Sequence, residues 1–433
     1  MPQQGGGPHG RTSRRTPDDG ATRGRGHVSL SESPDARRLV TSRGIRGFAD
    51  GIVSVALSAY LTLLGFSGQR IGLMVTCMLL GSAAVTLTVG LRGNALGRRR
   101  LLRLGSVVMI VTGLVYVSTT QFIVLLIVGT IGTMNPTSGD VSAFQPVEQA
   151  LVAATTVDER RTAMFARYAF VGTAAAALGS LAAGLPEWVA GIADIADDTA
   201  LRLVFVVYAL AGVAVLVVYS GLSARVEPPA AQPAAPLNES RRIVLRLAAV
   251  FSLDAFGGGF VVQSILALWL FRRFDLSVAA AGALLFWTGL FSALSSFLSA
   301  RIARRIGLIR TMVFTHMPAQ VFLIGAAFMP NVWLAIGCLL ARSLMSAMDV
   351  PARNSYVMAV VSPRERAAAA SVTNVPRSLA AALPPVAAGW MLDRSTFGWP
   401  LLLAGVIKLV YDLIVLMMFR NIRPPEEQRS SSR

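Results

Sequence analysis

The strongest constraint on this chain is its series of long apolar runs. QFIVLLIVGTIG (121–132), LRLVFVVYALAGVAVLVVYSGL (201–222) and PLLLAGVIKLVYDLIVLMMF (400–419) are three of them. About 20 mostly apolar residues let an α-helix cross the hydrocarbon core of a bilayer, where every backbone polar group must be paired within the segment. Twelve segments of this kind are predicted, near 37–65, 68–91, 100–119, 121–153, 162–184, 200–222, 241–271, 277–300, 308–329, 331–360, 366–392 and 397–420. The composition agrees, with 54% hydrophobic and only 15% charged residues in 433, more apolar than soluble domains are. The expected fold class is an all-α membrane protein with twelve transmembrane helices.

The formal charge of +17 would suggest nucleic acid in a soluble chain. Here the placement of the charge argues against that partner. Of the 40 basic residues only Lys408 is a lysine, and the arginines gather at span ends. One set of loops holds Arg92, Arg98, Arg99, Arg100, Arg103, Arg160, Arg161, Arg225, Arg241, Arg242, Arg301, Arg304, Arg305, Arg310, Arg364 and Arg366. The other holds only Arg70, Arg202, Arg272, Arg273 and Arg394, with several carboxylates. The positive-inside rule then puts both termini in the cytoplasm, in a multi-pass protein of the cytoplasmic (inner) membrane.

Five regions follow. Residues 1–35 are rich in Gly, Arg, Ser, Pro and Asp and have no apolar signal core, so they read as a disordered basic cytoplasmic tail. Residues 36–222 and 241–420 are two six-span halves. The Pro- and Ala-rich stretch 223–240 is a cytoplasmic linker, and 421–433 a second cytoplasmic tail. The halves repeat each other. At a shift of 205 residues Pro146 meets Pro351, Arg161 meets Arg366, Gln149 meets Asn354 and Gly184 meets Gly389. At a shift of 208 GFADG (47–51) meets AFGGG (255–259). Duplicated halves with a site near the midplane are a common transporter plan.

Together these features make the chain resemble the major facilitator superfamily over roughly residues 37–420. Its loop pattern Gly-x-x-x-Asp-Arg-x-Gly-Arg-Arg is partly kept in GLRGNALGRR (90–99), with Gly90, Gly97, Arg98 and Arg99 in place. Asn94 stands at the aspartate position. ARIARRIG (300–307) keeps Arg305 and Gly307 but has Arg304 for the aspartate. The resemblance implies that these positions serve gating, and that the lock made by the family's aspartate is altered twice. DERRTAMF (158–165) and PRERAAAA (363–370) look like the family's approach to the fifth helix of each half. The resemblance further implies two pseudo-symmetric six-helix bundles working by alternating access. AAALGSLAAG (175–184) and LAAALPPVAAG (379–389) keep small residues that serve close helix packing.

Charges within the spans are the site candidates, because a charge at the bilayer centre costs about 2.5–3.5 kcal/mol on insertion scales. Arg46 and Asp50 are one turn apart and share a face, either as a proton- or substrate-responsive pair or as an entry pair near the headgroups. Asp254 is the repeat counterpart of Arg46 and is expected to face it. Asp140 and Glu148 lie about two turns apart. Glu148 is expected to pair with Arg46 or Arg167, and Asp140 follows the helix-breaking NPTSG (135–139). Asp349 and Arg353 repeat the one-turn pattern, followed by Asn354, and Arg377 lies in the eleventh span. Lys408 and Asp412 read as a structural pair in a peripheral helix, and His316 as peripheral or near a loop.

The expected function is a secondary active transporter of a small molecule, coupled to protons, with efflux favoured over uptake. An uptake permease of the same fold, or a transporter-like scaffold or sensor, are the alternatives. No catalytic motif occurs, so an enzyme is not expected. Cys77 and Cys338 are isolated in apolar spans and the three histidines are scattered, so neither metal nor cofactor is expected. The expected partners are substrate, protons and the lipid bilayer, with the protein a monomer.

Overall fold

The computed structural model describes residues 33–137, 144–155, 158–224, 238–362 and 365–419. Asp140, nearly all of the first tail, the second tail and most of the linker lie outside them, and Gly90 and Asn94 are described by backbone alone. Seventeen helices among these residues make twelve passes. In the first half they are α1 (Pro34–Leu63), α2 (Gly68–Leu96), α3 (Arg98–Ser118), α4 (Phe122–Ile131), α5 (Gln145–Thr155), α6 (Asp158–Ala182), α7 (Leu185–Ala193) and α8 (Asp197–Ser220). In the second half they are α9 (Arg241–Gly259), α10 (Gln263–Phe274), α11 (Val278–Ile306), α12 (Leu308–Phe328), α13 (Val332–Ser346), α14 (Asp349–Val360), α15 (Arg366–Ala382), α16 (Pro384–Arg394) and α17 (Trp399–Phe419). Nine helical stretches among the described residues are long and apolar enough to cross a membrane unaided. The first pass is not among them; it carries Arg43, Arg46 and Asp50. The fourth and eleventh are each divided between two helices.

Local sequence sets the helix ends. Ser33 caps α1 by accepting from the Ala36 N–H at 3.1 Å, with Pro34 in the first turn. Ser67 and Ser277 cap α2 and α11 in the same way. Both of these helices then stop at a glycine with positive φ, 79° at Gly97 and 89° at Gly307, a region that side chains with a Cβ avoid. The two glycines of the expected gating loops thus have a backbone reason. The fourth pass is broken after α4, and in the described part of NPTSG, residues 135–137, the Asn135 side chain accepts from the Thr137 N–H at 2.9 Å and its hydroxyl at 2.7 Å. Pro384 and Pro385 divide the eleventh pass at Leu383.

Each bundle packs its first pass against its fifth and sixth, α1 on α6 and α8, and α9 on α15 and α17. The close approaches repeat too. A Cβ on Gly51 would collide with the carbonyl oxygen of Ala176, and one on Gly259 with that of Ala381. Large apolar side chains on the outside, such as Trp333, Ile127 and Met417, are exposed because they face lipid.

Three apolar cores show how the bundles meet. One spans both bundles and includes Tyr60, Met74, Phe205, Trp269, Leu285 and Leu323. The other two belong to one bundle each, around Leu39, Leu151 and Tyr219 in the first and Val244, Tyr356 and Val415 in the second. These separate cores lie at the end that holds the start of α1 and the finish of α17, called here the terminal end. The joined core lies toward the opposite, far end. At the terminal end the Glu365 carboxylate accepts from the N–H groups of Asn238, Glu239 and Ser240 at 2.6–3.0 Å. Those bonds, the Asn238 one foremost, pull its pKa down to about 2.

Candidate functional site

α1 and α5 bring Arg46 and Glu148 together. Arg46 Nη2 bonds Glu148 Oε2, and Arg46 Cζ lies 4.3 Å from the Phe144 ring centroid. Three hydroxyls complete the carboxylate. Ser42 Oγ and Tyr219 OH donate to Oε1 at 2.8 and 2.5 Å, and Tyr168 OH donates to Oε2 at 2.5 Å. Glu148 is fully buried and Arg46 nearly so. Of the two partners expected for Glu148, the structure brings Arg46 to it; the Arg167 side chain is exposed. Asp50 is also buried, one turn along from Arg46, and Arg43 lies over the Tyr168 ring at 5.6 Å. Sequence spacing signalled Arg46, Asp50 and Glu148. The two tyrosines, from α6 and α8, carried no signal beyond being aromatic.

The second bundle holds a larger network. Arg353 Nη1 lies 3.2 Å from both Asp254 Oδ2 and Asp349 Oδ2. Lys408 Nζ reaches Asp254 Oδ1 at 2.5 Å. His316 Nδ1 sits 2.9 and 3.0 Å from the Asp412 oxygens, while its Nε2 lies 3.9 Å from Asp254. Three readings need correction. His316 is not peripheral: it is 3% exposed and bridges two carboxylates. Lys408 and Asp412 do not simply neutralise each other; each is directed to a partner on another helix. Asp254, in turn, is held by Arg353 and Lys408 of its own bundle rather than by Arg46.

The networks are related by the internal repeat, with their charges exchanged. Arg46 and Asp254 are counterparts at the shift of 208, and Glu148 and Arg353 at the shift of 205. The same helix pair therefore holds a cation on the first pass and an anion on the fourth in one bundle, and the reverse in the other. Both networks lie about 15–20 Å along their first helices from the terminal end, which is near mid-membrane.

Beside the second network is a cavity of about 270 Å³. Its polar lining is Arg353 and Asn354 from α14 and Thr373, Asn374 and Arg377 from α15, with Phe251 of α9. Three residues nominated from sequence, Arg353, Asn354 and Arg377, thus meet in one cavity. Arg305, in the last turn of α11, is exposed and Arg98, the first residue of α3, is half-buried, away from this depth.

Toward the far end the bundles are fastened across their interface. Ser58 Oγ donates to the Ser264 carbonyl at 2.6 Å, and Thr76 Oγ1 accepts from the Val386 N–H at 3.2 Å. A Cβ on Gly72 would collide with the Pro385 carbonyl, and one on Gly282 with the Ser180 carbonyl. Two carboxylates cap helices of the opposite bundle. Asp393 accepts from the N–H groups of Gly68 and Gln69 at 2.6 and 2.7 Å, and Glu187 from those of Val278 and Ala279 at 2.6 and 3.0 Å. Asp393 also takes Arg272 Nη1 at 2.7 Å. Burial alone would raise the Asp393 pKa, but Arg272 and the two N–H groups hold it below its ordinary value.

Several solved transporter structures share this fold. The bacterial Spinster homologue, crystallised inward-facing and occupied, aligns with a TM-score of 0.68 at 16% identity, over 89% of this chain and 95% of that one. The nucleoside transporter NupG aligns at 0.66 and 14%, over 89% and 99%. The D-xylose–proton symporter aligns at 0.67 and 13%, over 88% and 96%. An uncharacterized membrane protein of Saccharomyces cerevisiae is 25% identical over 431 residues, 90% of this chain and 95% of that protein. The profile of the Major Facilitator Superfamily matches residues 39–317 and again 247–433. With its two six-helix bundles and repeated matches, this multi-pass membrane protein belongs to the Major Facilitator Superfamily, a family of transporters rather than enzymes.

Proposed function

We propose that the protein is a proton-coupled secondary transporter of a small molecule, acting as a monomer in the cytoplasmic membrane with both termini in the cytoplasm. The observation that carries this reading is the pair of buried ionic networks at mid-membrane. Buried charges are costly in a bilayer, and those retained there mark substrate and proton pathways. Joined cores at the far end and separate ones at the terminal end support an inward-facing state of an alternating-access cycle. The arginine-rich loops at the terminal end support its cytoplasmic placement.

Glu148 already accepts from four donors, so it serves as a fixed anion that holds Arg46. Proton carriage falls instead to Asp50, to Asp140, and to the His316–Asp412 pair, where one proton changes the charge facing Asp254. Efflux is the favoured direction. The test is flux in proteoliposomes across a panel of small molecules with an imposed pH gradient. Substrate movement should collapse when a protonophore is added, and Asp50→Asn and Asp140→Asn together should uncouple it from protons. Coupling that survives both substitutions removes those carboxylates from the pathway. Absence of flux for every compound favours the scaffold reading.

A further inference from the structure

The cavity between α9, α14 and α15 has an unusual charge balance. Its polar lining consists of two guanidinium groups, two carboxamides and one hydroxyl, from Arg353, Arg377, Asn354, Asn374 and Thr373. No carboxylate lines it among the described residues. The neighbouring acids, Asp254, Asp349 and Asp412, are at most 4% exposed and lie behind that wall. They bond to Arg353, Lys408 and His316. Arg342, half-buried, interacts electrostatically with Asp254 as well. In and behind the cavity wall, among the described residues, four basic side chains (Arg342, Arg353, Arg377 and Lys408) therefore stand against three carboxylates. The surplus is positive even with His316 neutral.

The surface available to a guest is positive and rich in donors. Thr373, Asn374 and Arg377 share one face of α15, spaced by three and four residues. Arg353, Asn354 and Val357 do the same on α14. The Arg353 charge is turned partly to its carboxylates and lies 5.4 Å from the Phe251 ring centroid. Arg377 also acts electrostatically on Asp254, but it stands half-buried on the cavity wall where Arg353 is 3% exposed, and this greater access makes it the cation best placed to meet a guest. A planar guanidinium suits a carboxylate or phosphate in a way that neutral amides do not match. Phe251 adds an apolar wall for the body of the guest.

Building on the transporter reading, we infer that this cavity recognises a small organic anion, with Arg377 as its principal charge contact and Asn354 and Asn374 as hydrogen-bonding partners. The probes are a series of aromatic and aliphatic monocarboxylates, each with its neutral amide and its matching amine. Binding is read as a thermal shift of the purified full-length protein in detergent. Carboxylates should stabilise it, and amides and amines should not. Arg377→Gln should weaken the carboxylate response about tenfold or more, the loss expected for one charge-assisted contact. Arg377→Lys, which keeps the charge but not the fork, should fall between, and Arg394→Gln at the far end should leave the response unchanged. Amides or amines that bind as well as acids overturn the inference. So does a panel silent in all three classes, or a carboxylate response that Arg377→Gln leaves intact. Flux of the same probes in proteoliposomes separates the two readings. Acids that bind but do not move leave the anion site and remove transport; amides or amines that move leave transport and remove the anion site.

Discussion

At the scale of single residues, Glu148 shows why partner choice was only partly legible. Its burial was readable from its place in an apolar span. Arg46 was one of two partners suggested by charge alone. The tyrosines that complete its shell sit 20 and 71 positions further on, and nothing local announces them. The same holds for Lys408, whose partner Asp254 is 154 positions away, whereas its i+4 neighbour Asp412 looked sufficient. Helical spacing reveals which residues share a face; which face meets which is a property of packing. The Glu148 shell makes a direct prediction. Glu148→Gln keeps the shape but leaves Arg46 as a buried cation without its carboxylate. Breaking a buried pair from one side costs about 3–5 kcal/mol. Chemical denaturation in micelles should show a loss of that order, and Arg46→Met added to Glu148→Gln should recover most of it. A single variant as stable as the parent, or a double variant no better than the single, would mean that the pair does not hold α1 to α5.

At the scale of elements, the spans were highly legible because lipid demands long apolar runs. The divided fourth pass was legible from its helix-breaking Asn-Pro run, whereas the eleventh was expected as one span and is divided at Pro384 and Pro385. The break between α9 and α10 had weaker marks, since Gly257, Gly258 and Gly259 also serve close packing. The far-end fastening was not legible at all. Asp393 and Glu187 looked like ordinary loop carboxylates, yet each caps a helix of the opposite bundle, where the helix N-terminus favours negative charge. With Asn94 and Arg304 in the aspartate positions of the other end, the carboxylate–helix contacts across the bundles among the described residues are these far-end caps. Ser264 reports on the seal, being fully buried at the interface. In a background with Cys77→Ala and Cys338→Ala, Ser264→Cys should react slowly with a polar thiol reagent supplied at the far end. Asp393→Asn or Glu187→Gln should each raise that rate about tenfold, given about 1.5–3 kcal/mol for a hydrogen bond to a charged group. The double variant should raise it further. The pH dependence follows from the sign of the Asp393 shift. A carboxyl held below its ordinary 3.8 contributes fully above that value and loses its contribution as pH falls through the lower one. The labelling rate set by the seal, once corrected for thiol ionisation, should therefore be flat at neutral pH and climb only in strong acid. Unchanged labelling in both single variants would dismiss the caps as a seal.

At the scale of the whole molecule, the repeat explains why the fold is symmetric and the ionic networks are not. Gly51 and Gly259 make the same close contact, as do Gly72 and Gly282, so backbone packing is shared by the two bundles. The charges at Arg46 and Asp254, and at Glu148 and Arg353, are exchanged. A scaffold that needs only neutral pairs tolerates either polarity, so the exchange costs the fold nothing. It gives the two sides of the central path different chemistry, with hydroxyls around a fixed carboxylate on one side and a cationic cavity on the other. Shared packing also means that either end can close by the same type of contact, the requirement for alternating access. Distances measured between spin labels test this in the cysteine-free background. The pair Arg70→Cys and Arg394→Cys spans the bundles at the far end, and the pair Arg100→Cys and Arg310→Cys spans them at the terminal end; all four positions are exposed. Without a gradient the far-end pair should be dominated by its shorter distance and the terminal pair by its longer one. Weakening the far-end caps with Asp393→Asn should lengthen the first and shorten the second together, because rigid bundles that rock about a central site cannot open both ends at once. A far end that opens while the terminal distance stays fixed would point to local fraying instead of a coupled change.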